Sequence, residues 1–249
     1  MQRYFLTEDF DGDEFVLSTD IAHHFMTVLR GKVDSTAEFV LPDRQTLLIA
    51  KVIEANGEFT KMQVIKREQV NVELPIETTL ILGLAKGDKP ELVVQKGTEL
   101  GAHHFIFVET EWSVVHWGSK AERKIERLQK IAQSAAEQSH RNMIPDIIYV
   151  ERLQALTLSD SMIKVVAWEE SAKQGERANL VQALQAAKTA PAIGFLIGPE
   201  GGLSPAELTL LTEHMNFVAA GFGPRILRAE TAPFYALSAL SYALELENK

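Results

Sequence analysis

The chain has 249 residues, no cysteine, 46% hydrophobic residues and a formal net charge of −9. That length allows one large domain or two modest ones, and the composition is that of a globular chain, not a disordered one. Absent thiols exclude disulfides, a cysteine nucleophile and cysteine-type zinc sites, and the acidic balance argues against indiscriminate coating of nucleic acid. No apolar run reaches the roughly 18 residues of a membrane span, and the N-terminus carries acids where a signal peptide carries a basic and then an apolar region. A cytoplasmic protein that needs no metal is therefore expected.

In chain order, residues 1 to about 72 read as a small β-rich domain, a half-open barrel. Strands are expected at 14–17, 37–41, 47–53 and 61–65, separated by turn signals at Asp11-Gly12, Pro42-Asp43 and Asn56-Gly57. The last is a strong hairpin signal. One helix is expected near 19–29. A polar stretch over 66–73, followed by Pro75, marks the boundary. From residue 78 apolar segments of strand length (80–85, 105–108, 165–168, 192–197, 217–220) alternate with helical stretches, the pattern of a parallel α/β sheet. Helix starts are signed by Asp88 with Pro90 and Glu91, by the capping box Ser204-Pro205-Ala206-Glu207, and by Thr231-Ala232-Pro233.

Two loops leave strands carrying glycine and charge. Ile197-Gly198-Pro199-Glu200-Gly201-Gly202 precedes the capped helix, and Gly221-Phe222-Gly223-Pro224-Arg225-Ile226-Leu227-Arg228-Ala229-Glu230 precedes the last one. In an open parallel sheet ligands collect beyond the carboxyl ends of the strands, where glycines allow close backbone approach and supply N–H donors. Neither loop is a dinucleotide or triphosphate fingerprint, and no serine-nucleophile elbow is present.

These blocks carry a family resemblance. Leu84-Ala85-Lys86-Gly87-Asp88-Lys89-Pro90-Glu91, continuing to Gly101, together with the GPEGG segment at 198–202 and Arg225-Ile226-Leu227-Arg228-Ala229-Glu230-Thr231-Ala232, resembles the RsmE family of 16S rRNA uridine-N3 methyltransferases in the SPOUT superfamily. His24 to Arg30 and Ala135 to Arg141 extend the likeness over nearly the whole chain. Two departures are Gly97, where the family more usually has Ala, and His140, where it often has Gly. The resemblance implies an α/β fold: a SPOUT-type domain with a trefoil knot over 73–249, preceded by a PUA-like RNA-binding β-barrel over 1–72. Ordinary connection rules argue against any knot. It also implies S-adenosylmethionine (SAM) as cofactor, 16S rRNA or the small ribosomal subunit as partner, and a homodimer with its active site at the subunit interface.

By the same resemblance the backbone of Leu196, Gly198, Gly201, Gly221, Ile226 and Leu227 holds SAM. Ile197, Pro199, Glu200, Phe222, Gly223, Arg228 and Thr231 complete the cofactor loops. Methyl transfer to uridine N3 requires in-line placement more than a metal, and it requires loss of the N3 proton from an unpaired base. Glu230 and Glu200 are the carboxylates nearest the loops, and Arg228 is placed to steady the developing uridine anion. Glu230 has the alternative role of capping the last helix, and Glu200 that of binding its own loop backbone. The pairs His23-His24 and His103-His104 read as structural, because adjacent side chains diverge. For RNA, a helix over 119–138 sets Lys120, Arg123, Lys124, Arg127 and Lys130 on one basic stripe opposite Ile125, Leu128, Ala132 and Ala135. Gln138 and Arg141 extend that surface, and Arg3 and Arg30 are similar candidates in the small domain. The closing helix, with Phe234, Tyr235, Leu237, Leu240, Tyr242, Leu244 and Leu246, is apolar around most of its circumference, which points to a dimer. Two other readings stay open: a SPOUT enzyme for another RNA site, and a non-catalytic RNA-binding or ribosome-assembly protein.

Overall fold

The computed structural model describes residues 1–170 and 178–247. Its contacts divide the chain into two units, Met1–Glu73 with Ala136–Met143, and the remainder. Each is built on one sheet.

In the first unit the sheet follows the order β1-β3-β4-β5-β2, with β1 Gln2–Phe5, β2 Glu14–Val16, β3 Thr36–Val40, β4 Thr46–Ala55 and β5 Thr60–Gln69. The long hairpin β4–β5 turns at Asn56-Gly57, as its sequence predicts. Gly57 takes φ 85°, and the Asn56 side chain accepts the N–H groups of Glu58 and Phe59 at 3.1 and 3.2 Å. Helix α1, Thr19–Ala22, continues as a wider π-turn over His23–Val28 and drops Phe25 onto the core of Tyr4, Phe39, Leu48 and Met62. The expected barrel does not close: β1 and β2 are the two edges of an open sheet. Strand β1 is not marked in the sequence. It is four residues long and carries a charged residue inward, so it lacks the alternation by which strands are read.

The second unit has six strands in the order β11-β9-β10-β6-β7-β8, every pair parallel. They are β6 Glu77–Gly83, β7 His104–Val108, β8 Asp146–Val150, β9 Met162–Ala167, β10 Ala192–Ile197 and β11 Val218–Ala220. The central strand β10 is buried along its whole length because both faces are covered. Phe195, Leu80, Phe105 and Val165 face one core with helices α2 (Lys89–Glu99), α3 (Ala121–Gln138), α4 (Ala178–Ala186) and α6 (Ala232–Ser241). Leu196, Ile81, Ile106 and Val166 face the other, beneath Leu203, Leu211 and Phe217, beside the short helix α5 (Pro205–Thr209). Successive strand residues thus alternate between two cores, as the two-residue period requires. Strand β8 is likewise unmarked in the sequence; it is an edge strand with Ile148 half exposed.

Gly97 has a packing reason. A Cβ there would sit 2.8 Å from the Phe105 ring, so the glycine lets α2 lie directly on β7. The helix caps divide. Ser204 and Glu207 form the full capping box of α5, whereas Asp88 at the start of α2 and Thr231 at the start of α6 make no side-chain cap. Glu91 is instead turned to Arg127, at 2.9 Å.

Candidate active site

Because all six strands run the same way, their carboxyl ends share one edge of the sheet, and the loops leaving five of them line an open cavity of about 650 Å³. Binding pockets for small molecules fall in this size range. The loops after β10 and β11 form much of its wall, joined by Trp168 to Glu170 after β9, by Lys89 after β6, and by Trp112 after β7. The loops are packed backbone to backbone. A Cβ on Gly83, at the end of β6, would lie 2.4 Å from Pro199 Cδ and 2.6 Å from Pro199 N. Gly202 and Gly223 hold φ of 77° and 86°, a region that side chains resist.

Of the residues expected to hold a cofactor, Ile197, Gly198, Pro199, Glu200, Gly201, Phe222, Gly223, Ile226, Leu227 and Arg228 line this cavity. Glu230 lines it too. Leu196, Gly221 and Thr231 are not among the lining residues: the Leu196 side chain is spent on the core behind the loop, Gly221 is buried at the end of β11, and Thr231 is exposed at the start of α6. Arg228 and Ile226 stand exposed at the cavity wall, Ile226 at 72%.

Lys89 escapes sequence reading, because a lysine in a helix's first turn carries no local signal. Its Nζ lies 2.7 Å from Glu200 Oε1 and 3.3 Å from Glu230 Oε2, tying the two glycine loops to the start of α2. The Lys86 N–H also donates to Glu200, at 3.2 Å. The two carboxylates are not equivalent. Burial pushes the Glu200 carboxyl up, but the hydrogen bond from Lys89 and those from backbone N–H groups outweigh it, leaving it below the usual carboxylate range. The Glu200 hydrogen bond in turn raises the Lys89 ammonium. Glu230 Oε2 is buried, and Lys89 Nζ lies 3.3 Å from it, a looser contact than the one to Glu200.

The loop after β7 is fastened at several points. Glu207, already in the α5 capping box, also accepts the Glu111 N–H at 2.7 Å. Ser113 N–H donates to Thr110 O at 3.0 Å, and the two side chains share a 3.0 Å hydrogen bond. Glu109 accepts from the Trp117 N–H, from His116 Nδ1 and from the Tyr149 hydroxyl. Burial pushes the Tyr149 phenol up to about 12, and Glu109 adds to the effect.

The residues expected to contact RNA separate into two groups. Lys120, Arg123, Lys124, Arg127 and Lys130 are exposed, Lys120 in a 3₁₀ turn just before α3 and the others along the helix, with Leu128, Ala132 and Ala135 buried opposite. Lys124 also lies 5.5 Å over the Trp117 ring. Gln138 and Arg30 are exposed as well. Arg3 and Arg141 are not surface groups; each is only 4% exposed. Arg3 pairs with Glu38 at 2.8 Å and donates to Asn142 Oδ1 at 2.9 Å, while Arg141 Nε donates to Glu73 at 2.9 Å. The helical stripe does not reach Arg141 because His140 takes φ 57° and turns the chain back. His140 anchors that turn with Nδ1 3.0 Å from Glu38 Oε2. This conformation accounts for glycine being acceptable at position 140.

Comparison with known proteins agrees with this geometry. The model of the RNA methyltransferase domain family matches residues 72–241. A ribosomal RNA small subunit methyltransferase E of Bacillus subtilis (strain 168) is 40% identical over 255 residues, spanning 99% of this chain and 98% of that protein. The crystal structure of the Neisseria gonorrhoeae ribosomal RNA small subunit methyltransferase E bound to S-adenosyl methionine superposes with a TM-score of 0.83 at 28% identity, over 97% of each chain. A Legionella pneumophila protein in complex with the bound cofactor SAM gives a TM-score of 0.82 at 26% identity, also over 97% of each chain.

Proposed function

The chain belongs to the ribosomal RNA small subunit methyltransferase E family, and on that premise we propose that it transfers the methyl group of SAM to N3 of a uridine in 16S rRNA. The observation that carries the reading is the convergence of the two glycine loops on one cavity at the carboxyl edge of the sheet, with Glu200, Lys89 and Glu230 in its wall. The cavity fits SAM in kind: glycine backbone that lets a nucleoside approach closely, the apolar side chains of Ile226 and Phe222, and two carboxylates in the wall for a cationic ligand. SAM, when bound, supplies an electrophilic methyl on a sulfonium that departs as a neutral thioether.

The protein's own groups divide the remaining work. Uridine N3 carries a proton at neutral pH and lies on the Watson–Crick edge, so the base has to be unstacked and deprotonated. Glu230 takes that proton, since its Oε2 is held by the Lys89 ammonium at 3.3 Å, more loosely than Glu200 is at 2.7 Å. Glu200 is engaged by Lys89 and the Lys86 N–H and acts as a clamp between loops. Arg228, exposed at the cavity wall, steadies the negative charge that develops on the base.

The finer architecture belongs to the same proposal. The all-parallel unit is a SPOUT-type domain carrying a trefoil knot, and the first unit is a PUA-like RNA-binding module. The chain acts in the cytoplasm as a homodimer that needs no metal, on rRNA of the small subunit. Support for the dimer comes from the last helical segment, where Ala236, Leu237 and Leu240 are buried while Tyr235, Tyr242 and Leu246 remain 38%, 58% and 62% exposed. Isolated apolar side chains on a surface need no explanation, but three on one helical segment do. Support for RNA contact comes from the exposed stripe Lys120 to Lys130. The deciding experiment maps modified uridine by mass spectrometry in 16S rRNA from cells with and without the protein. N3-methyluridine that disappears with the protein is the expected result; an identical pattern in both would reject the reading.

A further inference from the structure

Trp112 is 45% exposed and lies in the wall of the cavity. The turn that carries it is held by the paired side chains of Thr110 and Ser113, themselves 7% and 6% exposed, and by the Glu111 N–H on Glu207. Its backbone rests on the second cofactor-loop glycine: a Cβ on Gly201 would lie 3.2 Å from both Trp112 Cβ and Trp112 O. A large aromatic side chain kept in solvent forgoes the free energy of its burial, so its place in a cavity wall calls for a ligand. The contrast within the same loop is instructive. Trp117, five residues on by number, is 3% exposed and stacked on Tyr149 with ring centroids 5.5 Å apart.

We infer that Trp112 is a stacking platform for the target nucleobase, the side chain that grips the face of the unstacked uridine while its Watson–Crick edge is left free. This rests on the function proposed above. Stacking suits the task, since an aromatic face holds a base without occupying the N3 edge that Glu230 must reach. The position suits it too. The cofactor cradle is made by the loops of β10 and β11, whereas Trp112 enters from β7, on the other side of β10 in the strand order. The same connection then runs into Lys120 and the exposed basic stripe of α3, so phosphate contacts and base contact come from one continuous segment.

The test compares wild type, Trp112→Ala and Trp112→Phe in steady-state methylation of a small-subunit RNA fragment at saturating SAM. Trp112→Ala should raise KM for RNA about tenfold, within the range for loss of one base–aromatic stack. SAM affinity by calorimetry and the dimer mass by light scattering should stay as in wild type, and Trp112→Phe should recover most of the loss. Wild-type KM in Trp112→Ala, a matching loss of SAM affinity, loss of the dimer, or a Phe variant as weak as the Ala variant would each overturn the inference. Should Trp112→Ala fail to fold, the double variant Trp117→Phe and Trp168→Phe leaves Trp112 as the sole indole. Its fluorescence should be quenched by a uridine-containing stem-loop, and no quenching would reject the stack. Absence of methyl transfer by wild type would instead reject the underlying function, a separate outcome.

Discussion

By residue type alone, Arg3 and Arg141 of the first unit cannot be told from the basic residues of α3, yet the two groups behave as opposites. The former are 4% exposed and satisfied by Glu38, Glu73 and Asn142, and the latter stand in solvent along one helix face. A buried guanidinium is retained only with its carboxylate and hydrogen bonds in place. An exposed one contributes little to stability and stays available to a polyanion. A count of positive charge therefore overstates the surface open to a polyanion, and burial decides which cations can belong to it. Lys89 is the intermediate case, partly covered and committed to two carboxylates.

The largest expected effect lies on the buried side. Arg141→Met leaves the Glu73 carboxylate with the Asn142 N–H but without its cation, and should lower unfolding free energy by about 3–5 kcal/mol. Urea denaturation measures this, and a loss below about 1 kcal/mol would remove the distinction between the two groups of arginines. In the active site, Glu230→Gln should slow methyl transfer at saturating substrates by about 100-fold or more. Glu200→Gln should act mainly through SAM affinity. Equal rate losses from the two would show that the hydrogen-bond difference between the carboxylates has no chemical consequence.

On the exposed side, reversing Arg123 and Arg127 to Glu should leave stability within about 1 kcal/mol of wild type. The salt dependence of RNA binding should flatten by about 0.9 logarithmic units for each phosphate that is no longer neutralised. An unchanged slope would assign this helix face to solvent alone. The smallest effect concerns pH. Glu200 is held below its ordinary range, so its contribution is complete above the unfolded carboxylate value and is lost only as pH falls through the depressed one. Lys89 is raised, so its contribution is complete below the ordinary lysine value and is lost as pH rises through the raised one. The difference in unfolding free energy between wild type and Glu200→Gln should therefore be nearly flat between about pH 6 and about pH 9. A change of more than about 1 kcal/mol inside that window, by urea denaturation at each pH, would show that another group controls the pair.

Local chemistry was legible wherever it was complete within a few residues. The Asn56-Gly57 hairpin, the Ser204–Glu207 capping box and the two glycine loops all stand where the sequence places them. Asp88 shows the limit of such reading. Its spacing with Glu91 predicts a cap, yet Asp88 makes no side-chain cap and Glu91 pairs with Arg127, 36 positions away. Strand β1 escapes because it is four residues long and turns a buried arginine inward, and β8 because its apolar run at 147–150 is too short to tell from a turn of buried helix.

By itself the sequence determined the alternation of buried strands and helices, the parallel sheet, the glycine loops at its carboxyl edge and the family. Each of these rests on hydrophobic periodicity, on backbone freedom at glycine or on a contiguous motif, all of which act over short chain distances. Only the tertiary structure decided that the small-domain sheet stays open, that Arg3 and Arg141 are internal, that Lys89 joins loops 111 and 141 positions beyond it, and that Trp112 reaches the same cavity. Such outcomes depend on which distant groups share a low-dielectric neighbourhood. Desolvation and ion pairing are set by distance in space, and chain separation carries no information about it.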